Sequence, residues 1–386
     1  RPGGFESDEA VLTRSILKAR FSQEGVRIGA TLQDSRGWGI DESSPLGSSD
    51  INAVELIELF AAFGLGEQGR VTLGRQTMSL GSKRLVGNPG FRNAANGFTG
   101  ARVDWAALQG GSLTAFYMLP QQRLPSSKSD IADNAVEWDR EDEDLAFWGA
   151  FYERPVAGRL SLEAYVFGLD ENDDGAIATR DRNLITPGVR LLADDGPGQF
   201  DFEVEAMYQA GNIRASKAVD APTLDVSAFS LHSEIGYTFD NRFRPRLQMF
   251  YDIATGDDNS GDSYNRFDPL FGPRYGDWGP TGLYGPLGRT NISSLGTMLS
   301  TRPSPRVDAQ VQYRWNWLES ATDSFSYTGV RDASGASGTD AGSQLQGRVR
   351  WWLVPDVLRF ELGGAWLAKG DFFDTAPNDP GSGDTH

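Results

Sequence analysis

Cysteine is absent from this 386-residue chain, and histidine nearly so, with His232 and His386 alone. The first absence excludes a disulfide scaffold, thiolate metal sites and thiol catalysis. The second removes most zinc sites and most histidine-dependent catalysis. Basic charge is also short, 36 Lys and Arg against 53 Asp and Glu, leaving a net charge of -17. A chain so acidic is a poor partner for nucleic acid, and none is expected. Long hydrophobic runs are missing too: nothing in the sequence approaches the roughly 18 apolar residues of a membrane-spanning helix. That shortage leaves a membrane barrel open, because its strands need only about ten residues of alternating polarity.

What the chain does have is glycine, 46 residues, and aromatic side chains, 11% of the total. No composition shift or linker divides it, so residues 1–386 read as a single domain. Strand-like segments of roughly 9 to 13 residues recur between Gly, Asp, Asn and Pro clusters, about sixteen in all. In 306–318, Val307, Ala309, Val311, Tyr313, Trp315 and Trp317 alternate with Asp308, Gln310, Gln312, Arg314 and Asn316. Segments 226–238, 245–254 and 344–353 carry the same period. A soluble sandwich would alternate as well, so the pattern leaves both architectures open.

Connection lengths separate them. Short turns at 23–25, 110–111, 195–198, 241–244 and 303–305 alternate with long loops near 36–49, 80–97, 120–143, 170–184, 212–224, 256–289 and 320–340. Short turns at one end and long loops at the other are the rhythm of an outer-membrane barrel, whereas a sandwich has no reason to gather its long loops together. Trp105, Trp148, Trp315, Trp317, Trp351 and Trp366 near segment ends would supply interfacial girdles. The expected fold is all-β, a transmembrane up-and-down antiparallel β-barrel. Segment 52–63, NAVELIELFAAF, reads as helix by propensity and is assigned a strand from context. Both ends resemble long-loop material, so one further strand at each end is expected, giving 18 in the full protein.

The stretch beginning at Arg70, RVTLGRQTMSLGSKRLVGNPGFRNAANGFTGARVDW, resembles the alginate-export porin family of Gram-negative outer membranes. The resemblance rests on Gly74-Arg75-Gln76, Gly81, Arg84-Leu85-Val86-Gly87, Arg92-Asn93, and Phe98, Gly100 and Arg102. TGDD at 255–258, FDPLFG at 267–272, Asn291-Ile292 and LQDSR at 32–36 extend it. It implies an 18-stranded monomeric barrel in the outer membrane that passes anionic polysaccharide or smaller solutes.

On the alternating register, the inward face carries Arg14, Lys18, Arg20, Arg27, Arg102, Arg190, Arg246, Arg314, Arg348, Arg350 and Arg359. Inward acids are Asp104, Glu163, Asp201, Glu203, Glu205, Glu234, Asp252, Asp308 and Glu361. The bases gather on the first and last strands and most acids near 200–252, which predicts a basic wall facing an acidic one. Arg75, Arg84 and Arg92 come from the motif loop, which is expected to fold inward as a constriction whose guanidinium groups would bind carboxylates.

Loops 120–143, 170–184 and 256–289 hold 17 acidic residues against eight basic ones. They would face lipopolysaccharide phosphates across bridging divalent cations. DENDDG at 170–175 matches half of an EF-hand loop at Asp170, Asn172, Asp174 and Gly175, a candidate calcium site, but position twelve is Asp181 rather than Glu. No other cofactor is expected. An enzyme would need His232 as base, and Ser230 and Glu234 at i±2 on one strand stand roughly 6.6 Å away, so no catalysis is expected. The sequence therefore reads as an outer-membrane channel for anionic saccharides such as alginate-like polyuronates. A general small-solute porin and a soluble extracellular carbohydrate-binding protein are the alternatives. Lipid, lipopolysaccharide and a periplasmic export assembly are the expected partners.

Overall fold

The computed structural model describes residues 10–44, 46–89, 93–106, 110–173, 178–261, 263–273, 278–279 and 287–379. Seventeen strands form one sheet, accompanied by two five-residue helices, α1 (Lys128–Ala132) and α2 (Asp371–Thr375). In the first half lie β1 (Val11–Gln23), β2 (Val26–Trp38), β3 (Asn52–Leu65), β4 (Gly69–Thr77), β5 (Gly97–Ala106), β6 (Ser112–Pro120), β7 (Leu145–Ala157) and β8 (Leu160–Glu171). The second half holds β9 (Asn183–Ala193), β10 (Gln199–Arg214), β11 (Thr223–Thr238), β12 (Arg246–Ala254), β13 (Ser263–Tyr264), β14 (Ile292–Ser304), β15 (Val307–Trp317), β16 (Asp340–Val354) and β17 (Leu358–Ala368). Sixteen strands are long, and each pairs antiparallel with its neighbour in the chain. The two-residue β13 lies parallel to β11, so β12 pairs directly with β14.

Turn chemistry explains the short connections. Glu24 and Gly25 both have positive φ, 40° and 82°, the backbone of a two-residue hairpin that matches strand twist. Segment 52–65 is strand despite its helical composition, because ladders with β2 and β4 satisfy its backbone on both sides.

Side-chain direction decides between barrel and sandwich. Gln312 and Gln346 are 5% and 3% exposed, while Trp315 and Trp351 on the same strands are 43% and 50% exposed. Polar residues therefore lie inside and indoles and leucines outside, the inverse of a soluble sandwich and the arrangement lipid demands. The soluble alternative is excluded on this ground. Exposed Trp38, Trp315 and Trp366 stand at the long-loop ends of their strands, and Trp105 and Trp351 at the short-turn ends, forming two girdles. No described helix is long and apolar enough to cross a membrane; the strands cross it.

The sheet has two unpaired edges. Every residue of β1 is exposed, as is β17 from Leu358 to Gly364, and no ladder joins these strands among the described residues.

Candidate functional site: the occupied lumen

Two long loops enter the barrel. The segment between β4 and β5 crosses the interior: at one end Ser35 Oγ and the Gln33 amide on β2 donate to the Asn93 carbonyl, the former at 2.7 Å. At the other end Arg84 pairs with Glu203 and Glu205 on β10, eight strands away, with 2.6 Å to Glu205 Oε2. The segment between β12 and β14 meets it midway. There Phe271 N donates to Leu85 O at 3.0 Å, Gly87 N donates to Phe271 O at 3.3 Å, and Val86 bridges Phe271. A Cβ on Gly272 would stand 1.8 Å from the Arg84 carbonyl, so only glycine permits this backbone crossing. The same loop is fixed to the wall where Arg289 Nη2 lies 3.3 Å from Asp252 Oδ1.

An aromatic pad lies under the crossing. Phe116, Phe147, Phe151, Tyr165 and Phe167 on β6 to β8 turn inward and bury against Leu80, Leu85 and Val86 of the first loop. Over this sector the inner face is apolar rather than charged. Its signal was in the sequence: 145–152 and 164–169 are nearly continuous apolar runs, as in strands covered on both faces.

Beside the pad lies a charge network. Arg190 donates to Glu163 and Glu203, each at 2.7 Å, and Arg246 reaches Asp201 and Glu234. Arg314 Nη1 donates to Asp252 Oδ2 at 2.9 Å, and Tyr165 donates to Glu205 at 2.6 Å. The expected acidic wall is thus corrected: the carboxylates are there, but each of Asp201, Glu203, Glu205, Glu234 and Asp252 carries an arginine. Burial is the reason, since a carboxylate removed from water needs a counter-charge. His232, buried, places Nδ1 2.7 Å from Asp252 Oδ1, while Ser230 donates to the Ile253 carbonyl at 2.9 Å, so no Ser–His pair forms.

The opposite side is basic and less engaged. Register places Arg14, Lys18 and Arg20 of β1 opposite Ser35, Thr31 and Gly29, on the inner face. Arg20 pairs with Glu58 at 2.5 Å, and Arg102 with Asp104 at 2.7 Å. Arg20, Arg27, Arg70 and Arg102 line one cavity of about 500 Å³ at the short-turn end of β1 to β5, with Glu58 and Asp104 as its carboxylates. Among the described residues Lys18, Arg27 and Arg70 have no charged or hydrogen-bonding side-chain partner. On the far edge Arg350 pairs with Asp308, Arg359 with Glu361, and Arg348 donates to Gln310 at 2.9 Å.

Arg70, Glu58 and Arg289 were not singled out by sequence. Arg70 shares a face with Thr72 and Gln76 two and six residues on, which alternation could have found. Arg289 could not be found that way, because a loop has no period. Arg75 departs from the expected constriction. Its guanidinium donates to Glu55 at 2.8 Å and Glu141 at 2.7 Å, clamping the loop before β7 rather than lining the interior. Burial raises the Glu141 carboxyl, but the Thr99 hydroxyl and Arg75 more than offset it, and the net shift is downward. Arg92 lies outside the described residues.

Part of the calcium candidate lies outside the described residues. Asp170 accepts the Trp148 indole N–H at 2.9 Å, Asn172 N donates to the Asp144 carbonyl at 2.8 Å, and Asp174 lies outside the described residues. Among the described residues no cluster of three or more metal-ligating side chains occurs.

A membrane-facing apolar exterior, long loops at one end and a polar, loop-constricted interior define an outer-membrane β-barrel channel, not an enzyme. The chain belongs to the alginate export family, whose model matches residues 3–381. Its place is the outer membrane of a Gram-negative bacterium. No curated protein sequence matches it. Among solved structures it is similar to OccK8 (OprE) of Pseudomonas aeruginosa, with a TM-score of 0.62 and 15% identity over 94% of this chain and 90% of that one. Pseudomonas aeruginosa OpdQ gives 0.60 and 12% over 93% and 85%. Acinetobacter baumannii OccAB1 gives 0.59 and 11% over 93% and 85%. At such identities the likeness establishes the shared fold alone.

Proposed function

We propose that the channel passes anionic saccharides, of which alginate-like polyuronates are the type, by passive diffusion with no chemistry on the solute. The family's description, alginate export, supports the solute class. One observation carries the reading: the acids of the β10 to β12 wall are paired with arginines, whereas among the described residues Lys18, Arg27 and Arg70 stand on the inner face without carboxylate partners and outnumber Glu153, the inward acid bonded to Ser112 rather than to an arginine. The charge left for a passing solute is positive. In water each such contact is worth only about 1 kcal/mol, enough to favour anions and weak enough to release them. The two crossing loops set the width. The barrel works as a monomer, its acidic outer loops against lipopolysaccharide, with either the solute gradient or a periplasmic assembly driving passage. In planar bilayers, oligouronates should block single-channel current at concentrations where neutral oligosaccharides of equal length do not. Equal block by both would overturn the assignment.

A further inference from the structure

A second cavity, about 540 Å³, opens at the long-loop end between the β9–β11 wall and the loop that enters after β12, far from the basic cavity at the short-turn end. Its size falls within the range of small-molecule sites, roughly 300 to 1,000 Å³. Its lining includes Tyr264 and Tyr327 with four cations, Arg180, Arg182, Lys217 and Arg266, against two carboxylates, Glu171 and Asp268. The cations divide into two kinds. Arg182 pairs with both carboxylates, at 2.6 Å each, and Arg266 pairs with Asp323 at 2.6 Å. By contrast, Arg180 gives its Nε to the Arg214 carbonyl at 2.8 Å and lays its guanidinium 4.5 Å over the Tyr264 ring, and among the described residues it forms no salt bridge, Asp257 being the acid whose charge reaches it. Lys217 is exposed and has no polar partner among the described residues. Two cations outside any salt bridge among the described residues, beside tyrosine rings, suit a ring-shaped ligand with one carboxylate. Guanidinium and ammonium hold the carboxylate, and the aromatic faces take the apolar C–H face of the ring.

We infer that this outer cavity is a binding subsite for a single carboxylate-bearing pyranose, a hexuronate, held by Arg180 and Lys217 and stacked against Tyr264 and Tyr327. This rests on the reading of the channel as one for anionic saccharides, and adds where the solute is held at the outer mouth. The test is ligand-observed NMR on the full chain in detergent, with glucuronate, glucose and inorganic phosphate as probes. Glucuronate should bind more tightly than either of the others, and Arg180→Gln with Lys217→Gln should weaken it by about tenfold or more. Lys217→Glu, at an exposed loop position, should by itself weaken it severalfold. Equal binding of glucose, or glucuronate affinity unmoved by Lys217→Glu and by the double change, would overturn the subsite. The two proposals fail separately. Preferential block by oligouronates with a variant-insensitive glucuronate affinity sinks the subsite alone; variant-sensitive glucuronate binding in a channel that neutral sugars block equally sinks the transport reading alone.

Discussion

The inner wall at β9 to β12 and the inner wall at β1 to β5 are both rich in arginine, yet they use it differently. On the first, Arg190 and Arg246 each reach two carboxylates, and Arg84 arrives from a crossing loop to share Glu203 with Arg190 and to bind Glu205 as well. On the second, Arg27 and Arg70 face a cavity whose two carboxylates are already taken by Arg20 and Arg102. Access to water accounts for the difference. Where loops and the aromatic pad exclude solvent, an unpaired charge is too costly to keep and acids and bases must match. Where the wall stays wet, a lone cation costs little and remains available to a solute. Counting lumen charges from sequence therefore misleads; what matters is which of them are already matched.

The sharpest way to break the matched side is Asp252→Asn, because Asp252 is 1% exposed and answers Arg314, Arg289 and His232 at once. Leaving the two guanidinium groups uncompensated should cost about 3–5 kcal/mol, read as a lower unfolding temperature in detergent. Arg84→Ala should have a smaller effect on stability but a larger one on the pore. With the far anchor of the crossing loop released, mean single-channel conductance and its noise should both rise; an unchanged conductance would mean that the loop does not constrict the path. On the wet side, Lys18→Gln, Arg27→Gln and Arg70→Gln together should leave stability within about 0.5 kcal/mol of native. A larger loss would show that these cations are structural after all. The mildest effect concerns the Arg75 clamp. Glu141 has a lowered pKa, so its contribution is present above the ordinary glutamate value, roughly 4.3, and fades as pH falls through the lower folded value. Protease sensitivity of the loop before β7 should increase below about pH 4, and Glu141→Gln should remove that dependence.

Much of this fold was legible because a barrel strand writes its environment residue by residue: β15 alternates as lipid and lumen require, and so do β12 and β16. β3 hid its nature because pairing, not propensity, decides a strand held on both sides. The inward arginines on strands were readable from parity. Their partners were not, since the Arg84–Glu205 pair spans 121 residues of chain and depends on a loop path no periodicity encodes. Arg75 shows the same limit. Its side chain leaves the ladder for Glu141 on another loop, just after Gly74 takes a φ of 111° that a larger residue would resist.

The claim that unpaired cations, rather than total lumen charge, set selectivity is tested most directly by reversal potential under a salt gradient in planar bilayers. Native protein should favour the anion. Lys18→Glu, Arg27→Glu and Arg70→Glu together should move the potential across zero to the cation side. A triple variant that keeps the native reversal potential would contradict the account.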